Sequence, residues 1–165
     1  MSLTTVRTAR LDLVLPAEAH VDALLAMYGD EEVTRHIPHT RVTSRNGAWF
    51  KVASQLGHWQ LRGYGFWVVV ERATGAVVGN AGLLFPPENL QLEAGWLIAR
   101  PHWRKGYAEE AVRAILDHAF RVVGADTVIA VIAPENRASL ALAAKVGMEV
   151  TVTTPDVTML RVLAP

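Results

Sequence analysis

This chain contains no cysteine. Thiolate nucleophiles, disulfides and cysteine-ligated metals are excluded together, so any group transfer here proceeds without a covalent cysteine. Long hydrophobic runs are missing too: no apolar segment approaches the roughly 20 residues that span a bilayer. The opening MSLTTVRTAR carries no apolar secretion signal. A cytoplasmic protein without a membrane partner is the expectation. Net charge is absent, with 16 basic residues against 16 acidic ones, and a nucleic-acid partner would select a basic excess. No G-x-x-x-x-G-K-[ST] phosphate loop and no G-x-S-x-G elbow occurs. The only G-x-G, Gly63-Tyr64-Gly65, lacks the third glycine and the following helix of a dinucleotide fingerprint.

What is present fits one domain over residues 1–165, long enough for a sizeable core. The patterning predicts a strand over 11–15, a helix over 17–28 and a loop over 30–41. A second helix over 44–61, capped by Thr43 or Ser44, is expected to bury Trp49, Val52, Ala53, Leu56 and Trp59. Strands over 66–70 and 76–84 flank a turn at Ala73-Thr74-Gly75, and Pro86-Pro87 marks a loop before a strand over 92–98. A buried central strand over 127–132 precedes a short helix over 136–146 stopped by Gly147, then two strands around Pro155. Helices interleaved with a mixed sheet indicate an α+β or α/β layered fold.

The most informative stretch is RPHWRKGYAEEA, residues 100–111. A basic, glycine-containing turn runs straight into an amphipathic helix with Ala108, Ala111, Val112, Ile115, Leu116, Ala119, Phe120 and Val123 on one face. Glu109 and Glu110 in its first turn and Arg121 in its last match the helix dipole. Unpaired N–H groups and the positive dipole end converge there, which suits a pyrophosphate-bearing cofactor.

The run Trp103-Arg104-Lys105-Gly106-Tyr107-Ala108 resembles the Q/R-x-x-G-x-G/A acyl-CoA signature of the GCN5-related N-acetyltransferase superfamily. Trp103 departs at the first position, in the manner of the ribosomal-protein alanine N-acetyltransferase branch. Pro134-Glu135-Asn136-Arg137-Ala138-Ser139 and Lys145-Val146-Gly147-Met148 are similar to that branch's second motif. Thr8-Ala9-Arg10-Leu11-Asp12-Leu13, Gly65-Phe66-Trp67-Val68-Val69, Val78-Gly79-Asn80-Ala81-Gly82-Leu83 and Glu93-Ala94-Gly95-Trp96-Leu97-Ile98 are similar to its first four strands in order.

The resemblance implies an α/β/α-layered, mostly antiparallel sheet whose fourth and fifth strands splay around pantetheine. It implies acetyl transfer from acetyl-CoA to a primary amine, without metal, in a ternary complex. The acceptor is a protein N-terminus or a small amine such as an antibiotic or polyamine, and a homodimer is allowed. Backbone groups near Leu97 and Ile98 would meet the pantetheine amides. The N–H groups of Arg104, Lys105, Gly106, Tyr107 and Ala108 would hold the pyrophosphate, with the Arg104 and Lys105 charges beside it. Glu93 is the candidate base, its alternative a plain strand-end residue; Ser139 is the candidate donor to the leaving sulfur. Asn136 reads equally as helix cap or pantetheine contact, and Tyr107 is a second acid or a packing residue. Glu109 reads as a first-turn acid rather than a cofactor contact. His36 and His39 lack the further ligands that zinc needs. Trp49, Trp59 and Trp67 read as core, or else as walls of the acceptor pocket. A non-catalytic acyl-CoA sensor on the same scaffold is the reading from another class.

Overall fold

The computed structural model describes residues 5–85 and 91–165, so the expected Pro86-Pro87 loop lies outside the described residues. Its eight strands are β1 (Val6–Arg7), β2 (Leu11–Val14), β3 (Phe66–Glu71), β4 (Val77–Leu84), β5 (Leu92–Ile98), β6 (Thr127–Ile132), β7 (Glu149–Thr153) and β8 (Thr158–Leu163). They form one sheet in the order β1-β2-β3-β4-β5-β6-β8-β7. Only β5 and β6 run parallel; every other neighbouring pair is antiparallel. The two-residue β1 adds a strand that the sequence pattern does not announce, because so short a run carries no alternation.

Side-chain alternation along these strands feeds two cores. On one face Trp67, Val69, Leu83, Ala94 and Val128 pack with α3 (Tyr107–His118) and α4 (Arg137–Lys145). On the other, Val68 and Leu97 pack with α1 (Val21–Gly29) and α2 (Arg45–Arg62). The result is the α/β/α layering.

Each helix shows why it begins where it does. Before α1 a 3-10 turn covers Glu18–His20, so the expected single helix over 17–28 is two pieces. Ser44 caps α2 by accepting from Gly47 N–H at 3.1 Å, and Gly63 ends it at φ 76°. The buried stripe of α2 differs from the expected one. Ala48, Val52 and Trp59 are buried, whereas Trp49 (41% exposed) and Leu56 (36%) face outward and Ala53 is half-buried. The inward position between Val52 and Trp59 belongs to Gln55, which bonds Asn80 of β4 in both directions, at 2.6 and 3.2 Å. A polar residue on the inner face shifts the stripe by one position from where apolar spacing alone puts it. Trp59 and Trp67 meet edge to face at 4.8 Å inside the sheet's cover, so they are core. Trp49 is exposed and so is not core. Helix α3 opens at Gly106 and passes after His118 into a π-helical turn, Ala119–Val123, ended by Gly124 at φ 75°.

One feature of the sheet decides where a ligand can go. Strand β5 pairs β4 along its length, from Glu93 to Ile98, but pairs β6 only at Leu92 and Glu93. Beyond Glu93 and Ile129 the two parallel strands part, leaving a V-shaped gap in an otherwise continuous sheet. Strand β6 is interior as expected, although Val131 is exposed rather than buried.

Candidate active site

The V has a cationic turn at one tip, a helix start at the other and a carboxylate at its vertex. Along its β5 arm the backbone alternates. Ala99 N–H donates to Val78 at 2.8 Å, and this bond lies in register with the β4–β5 ladder. Residues 93, 95 and 97 therefore turn their N–H and C=O groups to β4, while 94, 96 and 98 turn theirs to the gap. Leu97, expected to meet the pantetheine, has its backbone committed to Asn80 across β4. The gap-facing groups belong to Ala94, Trp96 and Ile98, a parity that only the register reveals. The Ile98 carbonyl is taken as well, since the Trp103 indole N–H donates to it at 2.7 Å. Trp103, where the signature departs, thus folds back onto the end of β5.

At that end lies the turn. Arg104 has φ 61° and Gly106 φ 79°, two left-handed residues that invert the chain just before α3. Among the described residues the N–H groups of 104 to 109 have no partner; the first bonded one is Glu110 N–H, donating to the Gly106 carbonyl. Arg104 and Lys105 are exposed beside them, and Ala108 is half-buried. Unbonded, convergent N–H groups at a helix start are a built anion cradle.

Behind the cradle stands a clamp that sequence reading passed over. Arg10 donates to the Lys105 carbonyl at 2.8 Å and to Glu110 at 2.7 Å, and its guanidinium lies 4.7 Å from the Tyr107 ring centre. Glu110 also accepts from Arg10 N–H at 2.7 Å and from the Thr8 hydroxyl at 2.5 Å. The bonds from Thr8 and Arg10 hold its carboxyl below the usual range against the opposing effect of burial. The signal was visible only as the TARL opening, 95 residues away from Lys105. Glu109 turns instead to Lys145, at 2.6 Å, and to Arg113, at 3.0 Å, and these bonds lower its pKa. Tyr107 is buried and gives its hydroxyl to Glu71, which raises the phenol's pKa. It therefore belongs to the support of the turn, at the far end of β5 from Glu93.

The β6 arm ends in α4. Asn136 caps this helix, its Oδ1 accepting from Ser139 N–H at 3.2 Å. Its amide nitrogen and the half-buried Ser139 hydroxyl have no partner among the described residues. At the vertex, Glu93 pairs Leu84 on one side and Ile129 on the other. Burial pushes its carboxyl up. Its side chain, like that of Leu97, is on the α1/α2 face, the face that also carries the buried network in which Tyr28 donates to Asn80 at 2.8 Å. Among the described residues no group of three or more His, Asp or Glu side chains is placed to hold a metal.

A family model described as an acetyltransferase (GNAT) domain matches residues 10–149. The chain belongs to the GNAT acetyltransferases. The uncharacterized N-acetyltransferase p20 of Bacillus licheniformis is 30% identical over 85% of this chain and 79% of its own. The match to the uncharacterized protein YkkB of Bacillus subtilis is 38% identical, and the chain spans only about half of that relative, 53% of each. Among solved GNAT-like folds, the acetyltransferase of Agrobacterium tumefaciens superposes with a TM-score of 0.85 at 26% identity, covering 98% of this chain and 95% of that one. RimL, a ribosomal L7/L12 α-N-protein acetyltransferase in complex with coenzyme A, shares the fold, with a TM-score of 0.79 at 18% identity over 96% and 97% of the two chains. No helix among the described residues is long and apolar enough to cross a membrane.

Proposed function

We propose that residues 1–165 act as one acetyl-CoA-dependent N-acetyltransferase domain that acetylates a primary amine by direct attack. One observation carries this reading: β5 and β6 part immediately beyond Glu93, below six successive unbonded N–H groups. The gap suits a narrow arm and the cradle suits a pyrophosphate, the two parts of coenzyme A. Acetyl-CoA supplies the acetyl group as a thioester. The N–H groups of 104–108 and the Arg104 and Lys105 charges hold the pyrophosphate. Trp96 and Ile98, rather than Leu97, offer N–H groups to the pantetheine and the thioester carbonyl, where an N–H stabilises the developing oxyanion. The Asn136 amide reaches the same arm from β6.

The chemistry asks for a proton acceptor. An amine of pKa about 8 to 10 must lose its proton near neutral pH. Glu93, its affinity for a proton raised by burial, takes it through water. The amine nitrogen then bonds the carbonyl carbon, the C–S bond breaks, and the second proton that the nitrogen sheds passes to the departing sulfur, which the Ser139 hydroxyl steadies by a hydrogen bond and which leaves as the thiol. The acceptor is a protein N-terminus or a small amine.

Isothermal titration of the protein with acetyl-CoA, with Gly106→Trp as control, tests the cradle. Micromolar binding lost in the variant is the expected result, followed by thiol release in an amine screen. Absence of binding by folded protein overturns the reading. Binding without turnover of any amine points instead to an acyl-CoA sensor.

A further inference from the structure

Lys51 is the oddest cation in this molecule. It projects from α2 on the α1/α2 face, and its ammonium lies 4.1 Å from the centre of the Tyr28 ring. It is half-buried, yet no carboxylate or hydrogen-bond acceptor pairs with it among the described residues. Removing a charge from water without a counter-charge costs free energy, and a cation–π contact offsets only part of that cost. Burial accordingly pushes its pKa down.

The surroundings match an incoming anion. Lys51 borders an open depression of about 470 Å³ that it shares with His39, Thr40, Arg41, Ser44 and Phe50, and no acidic side chain among the described residues lines it. Arg41 is already paired, with Glu31 at 2.9 Å. Lys51 is thus the uncompensated lysine there, which suits a monoanion better than a dianion. From Lys51 the contacts lead inward through Tyr28 to Asn80 on β4. Glu93, on the same face, pairs Leu84, four residues farther along that strand, roughly 13 Å from Asn80.

We infer that Lys51 recognises a carboxylate carried by the acceptor, at the far end from the amine that is acetylated. The inference rests on the proposed transfer reaction and names its acceptor class: an extended amine with a carboxylate at its far end, either a free short peptide or a protein N-terminus with an acidic side chain near its third residue.

Two readouts separate this inference from the reaction itself. The first is binding, in the presence of coenzyme A, of the product analogues N-acetyl-trialanine and its C-terminal amide, followed by backbone amide shifts. Saturable shifts at Gly47, Phe50 and Lys51 with the acid alone are expected, and they vanish in Lys51→Met but persist in Lys51→Arg. The second is kcat/KM for trialanine against trialaninamide, and for Ala-Ala-Glu-amide against Ala-Ala-Gln-amide. The acid should be favoured about tenfold in whichever pair matches the natural source, and Lys51→Met should bring that pair within about twofold, with acetyl-CoA affinity as the check on folding. Equal binding of acid and amide, binding of neither, or an acid preference that survives Lys51→Met overturns the inference. Acid-selective shifts without turnover of any peptide leave Lys51 as the anion contact and sink the transfer reading instead.

Discussion

Glu93 is a carboxylate placed where two strands separate, and its position and its burial make opposite demands. Because burial raises its pKa, folding favours the protonated form. The stability it contributes is full below the unfolded value of about 4.3 and is lost as pH rises through the folded value. Glu93→Gln removes that penalty, so its Tm at pH 7.5 should equal or exceed that of the parent, an advantage gone by pH 4. A lower Tm at pH 7.5 would mean that the carboxylate has a stabilising partner. In the proposed reaction the same shift should move the acidic limb of kcat/KM to higher pH than an unshifted carboxylate would give. In Glu93→Gln that limb should give way to the higher one set by the amine's own ionisation, and kcat should fall about 10²–10⁴-fold, with the acetyl-CoA Kd unchanged. At the other tip, Arg10 fastens the Lys105 carbonyl and Glu110 together. Arg10→Gln should weaken acetyl-CoA binding about tenfold while leaving the affinity for acetyl-pantetheine, which has no pyrophosphate, within twofold. Equal losses for both ligands would make Arg10 a general structural residue.

At the scale of elements, the helices were legible to different degrees. Helix α3 declares itself through its apolar spacing and terminal charges, because its buried stripe of Ala111, Val112, Ile115 and Leu116 is apolar and the buried His118 comes only at its last residue. Helix α2 misleads because Gln55 points inward to Asn80. Between strands, Gly82 and Gly95 face each other across β4 and β5. A Cβ on Gly82 would overlap the Gly65 carbonyl, and one on Gly95 would come within 2.8 Å of Phe66 Cζ. These glycines let β3, β4 and β5 close up alongside the V, two residues past its vertex. Gly82→Ala should cost about 2 kcal/mol through overpacking, a fall in Tm of about 4–8 °C. An unchanged Tm would show that the strands move apart freely.

Across the whole molecule, the two cores on opposite faces of the sheet divide the labour. The α3/α4 face carries the cradle and the α4 cap, and the α1/α2 face carries Glu93, the Tyr28–Asn80–Gln55 network and Lys51. A ligand filling the V bridges arms that the protein alone leaves unpaired. Acetyl-CoA at 100 times its Kd should therefore stabilise the fold by about 2.7 kcal/mol, raising Tm by about 5–11 °C. The same addition to Gly106→Trp should leave Tm unmoved; an equal rise there would place the ligand elsewhere.

Sequence alone determined the order of elements, the turn before α3 and the family. These are local properties: a periodicity, a glycine where φ must be positive, a motif within a dozen residues. It also singled out Glu93, Asn136 and Ser139 through that resemblance. Tertiary structure decided which side each group faces. Whether Leu97 or its neighbours meet the gap depends on ladder parity with β4, and whether Arg10 matters depends on contact with Lys105 across the sheet. Lys51 is isolated because no carboxylate among the described residues folds back to meet it. Register, burial and the absence of a counter-charge are relations between distant segments, and no window of sequence contains them.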